Sequence, residues 1–252
     1  MNYIESKKNQ RVKEWKKLHA KKGRDRSGLF LIEGYHMVEE ALGSDLEIVE
    51  VIFQERADLP LEWDLDDIPL FAVTTSVLNE ISETQTPQGI AAVCRKRDAS
   101  LSMAPDGKYL CIDAVQDPGN IGTMIRTADA AGLSGVILGS GCADPYNSKV
   151  LRAAQGSSFH IPVIEDDLHD WVSRFQQQEI PVFGTALQEG KPYSDVTVSN
   201  QFALIVGNEG SGVEPALLEK ADENLYIPVL GQAESLNVSV AAGILLYGLQ
   251  IR

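Results

Sequence analysis

Cysteine is scarce in this chain. Three residues in 252, Cys94, Cys111 and Cys142, form no C-x-x-C pair, and two lie in or beside apolar strand-like runs. This usage argues against a disulfide framework or a cysteine zinc site and reads as buried thiols in a reducing compartment. Histidine is as thinly spread, with His19, His36, His160 and His169 far apart, so no metal is expected. No apolar run approaches the roughly 18 residues of a membrane span. The charged N-terminus lacks the apolar core of a secretory signal. A cytoplasmic protein is expected, with no membrane partner. Internal repeats and low-complexity tracts are missing too.

The common nucleotide fingerprints are also absent. The stretch DAVQDPGNIGTMIRTADAAG (113–132) follows an apolar run, YLCIDAV, that reads as a buried strand. It places Ile121, Met124, Ile125 and Ala128 at helical spacing on one face. A strand, a tight Gly/Pro turn and a helix start are expected. Gly119 and Gly122 are three apart, and no third glycine completes the G-x-G-x-x-G fingerprint. No G-K-[ST] follows, so a P-loop is excluded as well. Arg126 points away from the apolar face of this helix. It is either a plain surface arginine or a group that reaches toward a partner.

Positive charge is in short supply overall but not locally. The formal net charge is −14, which argues against an indiscriminate nucleic-acid binder. Residues 1–30 carry ten Lys/Arg against three acids, a net +7, so the other 222 residues carry −21. In this segment Val12, Trp15 and Leu18 recur at helical spacing. A basic amphipathic helix fits salt-dependent contact with a phosphate backbone. A solvated basic helix, or a membrane-surface helix with a short apolar stripe, accounts for the same pattern.

Strand and helix patterns alternate in two regions, 28–95 and 109–252. The polar stretch KRDASLSMAPDGK (96–108) between them reads as a linker. The first region gives strands over GLFLIE, EIVEVIF, LFAV and GIAAVCR, with helices over YHMVEEAL and SVLNEI. The second gives strands at 109–115, 135–138, 160–164, 181–186, 202–206 and 224–228. Its helices are expected at 121–131, 148–154, 168–178, 214–220 and 236–250. Such alternation implies an α/β fold with a mainly parallel sheet, and ligands then bind at the carboxyl ends of the strands.

Three loops are expected at that edge. The first is DPGNIGTMIR. The second, LIVGNEGSGV (204–213), has three glycines in six residues, which reads as a flexible turn or as backbone closely approached by a ligand. The third, IPVLGQAESLNVSVAAGILLYGL (227–249), offers Ser235 as an N-cap to an almost wholly apolar helix, buried against the sheet or another subunit. Asn237 and Ser239 on so apolar a helix need hydrogen-bond partners.

The ordered set N-x-G-x-x-x-R, G-N-E-G-x-G and S-L-N-V-S-V-A resembles the three motifs of the SpoU/TrmH family of the SPOUT superfamily, RNA ribose 2′-O-methyltransferases that use S-adenosylmethionine. The resemblance covers residues from about 109 to 250. Residues 28–95, opening on FLIEGYHMVEEAL, are similar to the family's small ribosomal-protein-like substrate-binding domain. One departure is Ala154, in RAAQGSSFHIPV, where the family commonly has serine. The charge asymmetry marks a basic arm at 1–27, and the resemblance implies an RNA substrate-binding domain at 28–98 and a methyltransferase domain at 106–252. That last domain would be a knotted (trefoil), mainly parallel sheet with helices on both faces, dimerising near the 236–250 helix.

By the same resemblance, Thr185, Ala186, Gly207, Ile227 and Leu236 would bind S-adenosylmethionine. Asn120, Arg126, Glu209, Ser235 and Asn237 would form the catalytic set. Arg126 would meet the target ribose or phosphate across the dimer and favour loss of the hydroxyl proton electrostatically, since an arginine stays protonated. Asn120 would orient Arg126 or the ribose, and Glu209 would anchor the network. Structured RNA is the implied partner, ribosomal RNA ahead of transfer RNA. The rival readings are a non-catalytic RNA-binding or assembly factor, and a nucleotide-binding dehydrogenase or hydrolase.

Overall fold

The computed structural model describes residues 2–97, 101–187, 190–197 and 200–250. Asp98, Ala99 and Ser100 of the expected linker lie outside the described residues. In chain order the first elements are β1 (Asn2–Ile4), α1 (Gln10–Lys17), α2 (Lys21–Ser27), β2 (Leu29–Glu33), α3 (Tyr35–Leu42), β3 (Ile48–Gln54), β4 (Leu70–Val73), α4 (Thr75–Ile81) and β5 (Ile90–Arg95). Then come β6 (Lys108–Ile112), α5 (Pro118–Ala130), β7 (Gly135–Leu138), α6 (Ser148–Ala154), β8 (Val163–Glu165) and α7 (Leu168–Gln177). The last are β9 (Val182–Thr185), β10 (Lys191–Pro192), β11 (Phe202–Val206), α8 (Pro215–Lys220), β12 (Glu223–Tyr226) and α9 (Val238–Gln250).

The chain divides into two compact units: Met1–Asp98 with Tyr146–Phe159, and Ala99–Pro145 with His160–Arg252. The first is built on a five-stranded sheet of order β1-β4-β3-β5-β2. β1, β4 and β3 run parallel, and β5 is antiparallel to both β3 and β2. Both faces are covered, so β5 reads as a continuous apolar run rather than an alternating one. One face packs Val12, Trp15 and Leu18 with Val77, Leu78 and Ile81 of α4. The other packs Met37, Val38 and Ala41 of α3 with Leu151 and Phe159. Each such side chain contributes about 2–3 kcal/mol against the entropy of ordering it.

Residues 2–27, expected as an arm, are therefore part of this unit's core. β1 pairs with β4, and Trp15 sits edge-on to Phe71 with ring centroids 5.6 Å apart. α2 has no apolar periodicity and gives no helical signal in the sequence. It is anchored by buried Arg24, whose guanidinium donates to the carbonyls of Leu18 (2.7 Å) and His19 (2.8 Å) just beyond the end of α1.

The second unit holds a seven-stranded sheet of order β10-β12-β9-β11-β6-β7-β8, parallel throughout. Tyr109, Cys111, Ile137, Val182, Ala203 and Ile205 face α7 and α8, where Trp171, Phe175 and Leu217 complete a core. Alternation along each strand turns Leu110, Ile112, Leu204 and Val206 to the opposite face. Burial pushes the Cys111 thiol up to about 12 and the Cys142 thiol up to about 11, and the three cysteines are free. No helix among the described residues is long and apolar enough to cross a membrane.

Candidate active site at the carboxyl edge of the parallel sheet

Adjacent strands β12, β9, β11 and β6 end side by side, and their following segments carry the candidate residues. After β6 the chain turns through Ala114, a non-glycine residue at φ 52°. Asn208 holds that turn: its Nδ2 donates to the Ala114 carbonyl at 2.8 Å. Asp113 Oδ2 accepts from the Glu214 backbone N–H at 2.7 Å, and Glu214 in turn meets His169 Nε2 at 3.1 Å. Asn208 and Asp113 thus tie the first motif segment to the second. Asn208 is not among the candidate residues, and only its place beside Gly207 in the glycine-rich loop points to it.

α5 begins at Pro118, earlier than the apolar pattern predicts. Asp117 is the N-cap, accepting from the Asn120 N–H at 2.8 Å, and proline at the first helical position suits its fixed φ. The Gly-Asn-Ile-Gly stretch is therefore the first turn of the helix rather than a loop before it. Arg126 lies six residues, about 9 Å, further along α5. Its side chain is exposed and makes no hydrogen bond or ion pair among the described residues.

The second loop is a tight hairpin. Asn208 and Gly212 exchange both backbone bonds (3.0 and 2.9 Å), and Asn208 Oδ1 accepts from the Gly210 N–H at 2.9 Å. A Cβ on Gly207 would stand 2.2 Å from the Val213 nitrogen and 2.4 Å from the Gly212 carbonyl oxygen. The glycine is thus required by the hairpin folding back on itself, whatever ligand lies on the other side.

α9 begins at Val238, and its N-cap is Asn237 rather than the expected Ser235. Asn237 Oδ1 accepts from the backbone N–H groups of Ser239 (3.0 Å) and Val240 (3.4 Å) and from the Ser239 hydroxyl (2.6 Å). With its oxygen occupied, Asn237 presents Nδ2 to Asn120 Oδ1 at 3.0 Å. Asn120 then has Nδ2 free for Glu209 Oε1 at 2.7 Å. One hydrogen-bonded chain, Ser239–Asn237–Asn120–Glu209, joins all three loops. Arg126 and Ser235 stand outside it. Ser239, absent from the candidate set, supplies its fixed end.

Of the remaining candidates, Thr185 ends β9 opposite Leu225, and the Ala186 N–H donates to the Leu225 carbonyl at 3.0 Å. Ile227 follows β12 and Gly207 follows β11, so these residues line one stretch of the sheet edge. Leu236 lies in the exposed segment before α9 and is 39% exposed. Among the described residues, no main-chain N–H from 229 to 236 donates a hydrogen bond. Leu230, in the same segment, is 97% exposed. These main-chain groups are left open to a ligand that binds through the backbone. No cluster of His, Cys, Asp and Glu among the described residues could hold a metal.

A parallel sheet with a polar cluster and unpaired backbone at its carboxyl edge defines a ligand-binding α/β enzyme with its site where the strands end. The chain belongs to the SpoU rRNA Methylase family, whose model matches residues 107–247, and an MRM3-like substrate binding domain matches residues 9–92. It is 54% identical over 250 residues to the 23S rRNA (guanosine(2553)-2′-O)-methyltransferase RlmP of Bacillus subtilis, covering 99% of this chain and 100% of that one. Its fold is similar to the AdoMet-bound rRNA methyltransferase of Sinorhizobium meliloti (31% identity, 99% of this chain, 97% of that one, TM-score 0.90). It is also similar to the SpoU methyltransferase AviRb of Streptomyces viridochromogenes in complex with AdoMet (27%, 97%, 98%, TM-score 0.88).

Proposed function

We propose that this protein methylates a ribose 2′-hydroxyl of large-subunit ribosomal RNA, at a guanosine as in the Bacillus subtilis relative, with S-adenosylmethionine as donor. The observation that carries this reading is the Ser239–Asn237–Asn120–Glu209 chain, which joins three segments far apart in sequence at the sheet edge. A site without chemistry has no need for so complete a polar arrangement, which weighs against a non-catalytic assembly factor.

The bound cofactor would supply a methyl group already activated by its sulfonium charge. Thr185, Ala186, Gly207, Ile227 and Leu236 would hold it, largely through main-chain groups. The work left to the side chains is to place the ribose and ease loss of its proton. Arg126 has its guanidinium free for that task, and a cation near the hydroxyl lowers its pKa. Glu209, oriented by Asn120, anchors the ribose side. Asn237 couples this arrangement to α9, and Ser235 completes the site from the segment before it.

α9 presents Val240 (50% exposed), Ile244 (36%) and Tyr247 (43%) at i, i+4 and i+7. This apolar stripe supports a homodimer, with Arg126 acting on RNA held by the partner subunit. The family reading also carries the trefoil knot in the C-terminal region and a cytoplasmic location. Transfer RNA is the second substrate class. The test is methyl transfer from labelled S-adenosylmethionine to separate pools of unmodified ribosomal and transfer RNA. Label in ribosomal RNA, recovered as a 2′-O-methylguanosine, is the expected result; label confined to transfer RNA overturns the substrate assignment.

A further inference from the structure

The cations of residues 1–30 divide by their partners. Lys7 and Lys16 pair with Glu80, and Arg11 pairs with Glu50 at 3.1 Å. Arg24 is committed to backbone carbonyls, and Lys21 also has a partner. Lys8, Lys13, Lys17, Lys22 and Arg26 make no hydrogen bond or ion pair through their side chains among the described residues. Four of these form two like-charged i,i+4 pairs, Lys13/Lys17 on α1 and Lys22/Arg26 on α2. Like charges at this spacing oppose helix formation. Lys17 and Arg26 lie in the last turns, where a cation suits the helix dipole, but Lys13 and Lys22 lie outside them and gain nothing from it.

Between α1, α2 and the sheet lies a cavity of about 440 Å³. Trp15, Leu18, Leu29 and Val93 give it an apolar floor, and Lys17 and Arg26 stand at its wall. Of its two acids, Glu50 is paired with Arg11, while Glu14 accepts only from the neutral Gln10 amide at 3.2 Å. Ser27, exposed at the end of α2, also lines it.

We propose that this cavity is a nucleotide subsite. It would take one unstacked nucleotide of the substrate RNA, the base against the apolar floor and its phosphate on Lys17 and Arg26, while Lys13 and Lys22 continue the cationic track. The identity of the RNA rests on the ribosomal RNA reading above; the chemistry of the cavity does not. Its size lies within the range of about 300–1,000 Å³ typical of small-molecule pockets. Proteins read single-stranded RNA through splayed-out bases set on apolar or planar groups, with cations on the backbone. With −21 on the residues beyond 30 repelling a polyanion, the cations of residues 1–30 are what can hold one.

The test uses the full chain and three proteins: wild type, the double variant Lys17→Ala with Arg26→Ala, and Ser27→Trp, which fills the cavity and leaves the cations. Binding of a 23S rRNA fragment and of transfer RNA is followed against salt, alongside methylation kinetics and S-adenosylmethionine affinity. In the double variant, RNA affinity should fall about 10-fold or more, and the slope of log K against log salt should shrink by about 0.7–0.9, the value for the one phosphate that Lys17 and Arg26 share. KM for RNA should rise in step, with kcat and cofactor affinity unchanged. Ser27→Trp should raise KM with the salt slope unaltered. Ultraviolet crosslinking of wild type should add a nucleotide within residues 11–29.

An unchanged salt slope and affinity in a folded double variant overturns the subsite. So does an effect seen on ribosomal particles but not on naked RNA, which would assign the face to an acidic polypeptide. If Ser27→Trp fails to fold, the double variant decides alone. RNA binding that depends on Lys17 and Arg26, with no methylation of ribosomal RNA, would sink the proposed reaction and leave the cavity standing. Methylation that ignores both residues would do the reverse.

Discussion

In the five-stranded unit, the exposed polar side chains that stand out are cations without partners among the described residues, four of them arranged as like-charged neighbours on α1 and α2. In the seven-stranded unit the polar side chains that stand out are two amides, a buried hydroxyl and a carboxylate, bonded to one another at the strand ends. The first arrangement is local, since Lys13 and Lys17 meet through helical spacing alone. The second is not: Asn120 meets Glu209 across 89 residues and Asn237 across 117. Partnerless cations suit a long, repeating anion, which needs attraction more than geometry. A closed hydrogen-bonded chain suits a single reacting group, which needs geometry first.

Perturbing each region separately tests the contrast. The largest effect is expected from Arg126→Ala, which should lower methyl transfer by about 1,000-fold, roughly 4 kcal/mol of transition-state stabilisation. Calorimetry should find S-adenosylmethionine affinity nearly unchanged; a parallel loss in a folded variant would remove Arg126 from the catalytic set. In the other unit, Trp15→Ala should cost about 3–4 kcal/mol by emptying the α1–sheet core, read as a fall in denaturant midpoint. If urea unfolding of that variant leaves wild-type stability intact, α1 is not the core element described.

Ser239→Ala should cost about 1 kcal/mol, the scale of one hydrogen bond. Asn237 then loses the donor that best fixes its amide, so kcat should drop roughly 5–10-fold with KM for RNA steady. A rise in KM alone would place Ser239 outside the positioning chain. The smallest effect is expected at Glu80, whose carboxyl is held below its ordinary value chiefly by the Lys16 hydrogen bond, then by Lys7. A depressed carboxylate adds stability above its unfolded value of about 4.5, and that contribution disappears as pH falls through the lowered one. Glu80→Gln should therefore melt slightly lower than wild type at neutral pH and converge with it in acid. A gap that persists at low pH would point to lost packing instead.

Much of this architecture was open to reading from residue spacing. The strand and helix alternation of 28–95 and 109–252 corresponds to elements in the structure, because buried parallel strands and one-faced helices leave distinct apolar periods. Weak or short signals escaped: β1 has three residues, β10 has two, and α2 lacks an apolar face. Helix starts shifted where capping, not apolar spacing, decides. Asp117 drew α5 back to Pro118, and Asn237 took the cap expected of Ser235.

The sequence alone established the α/β class, the edge of the sheet at which a site should lie, and the segregation of +7 within the first 30 residues, since composition and period are properties of a chain read in order. Tertiary structure decided the rest. It folded the basic segment into a core, gave Gly207 to its own hairpin and let the segment 146–159 pack with the first unit. It also joined Ser239, Asn237, Asn120 and Glu209 while leaving Arg126 outside that chain of hydrogen bonds. Those outcomes depend on contacts between residues far apart in the chain, and a hydrogen bond is specified by the meeting of two groups, which neither segment's own pattern contains.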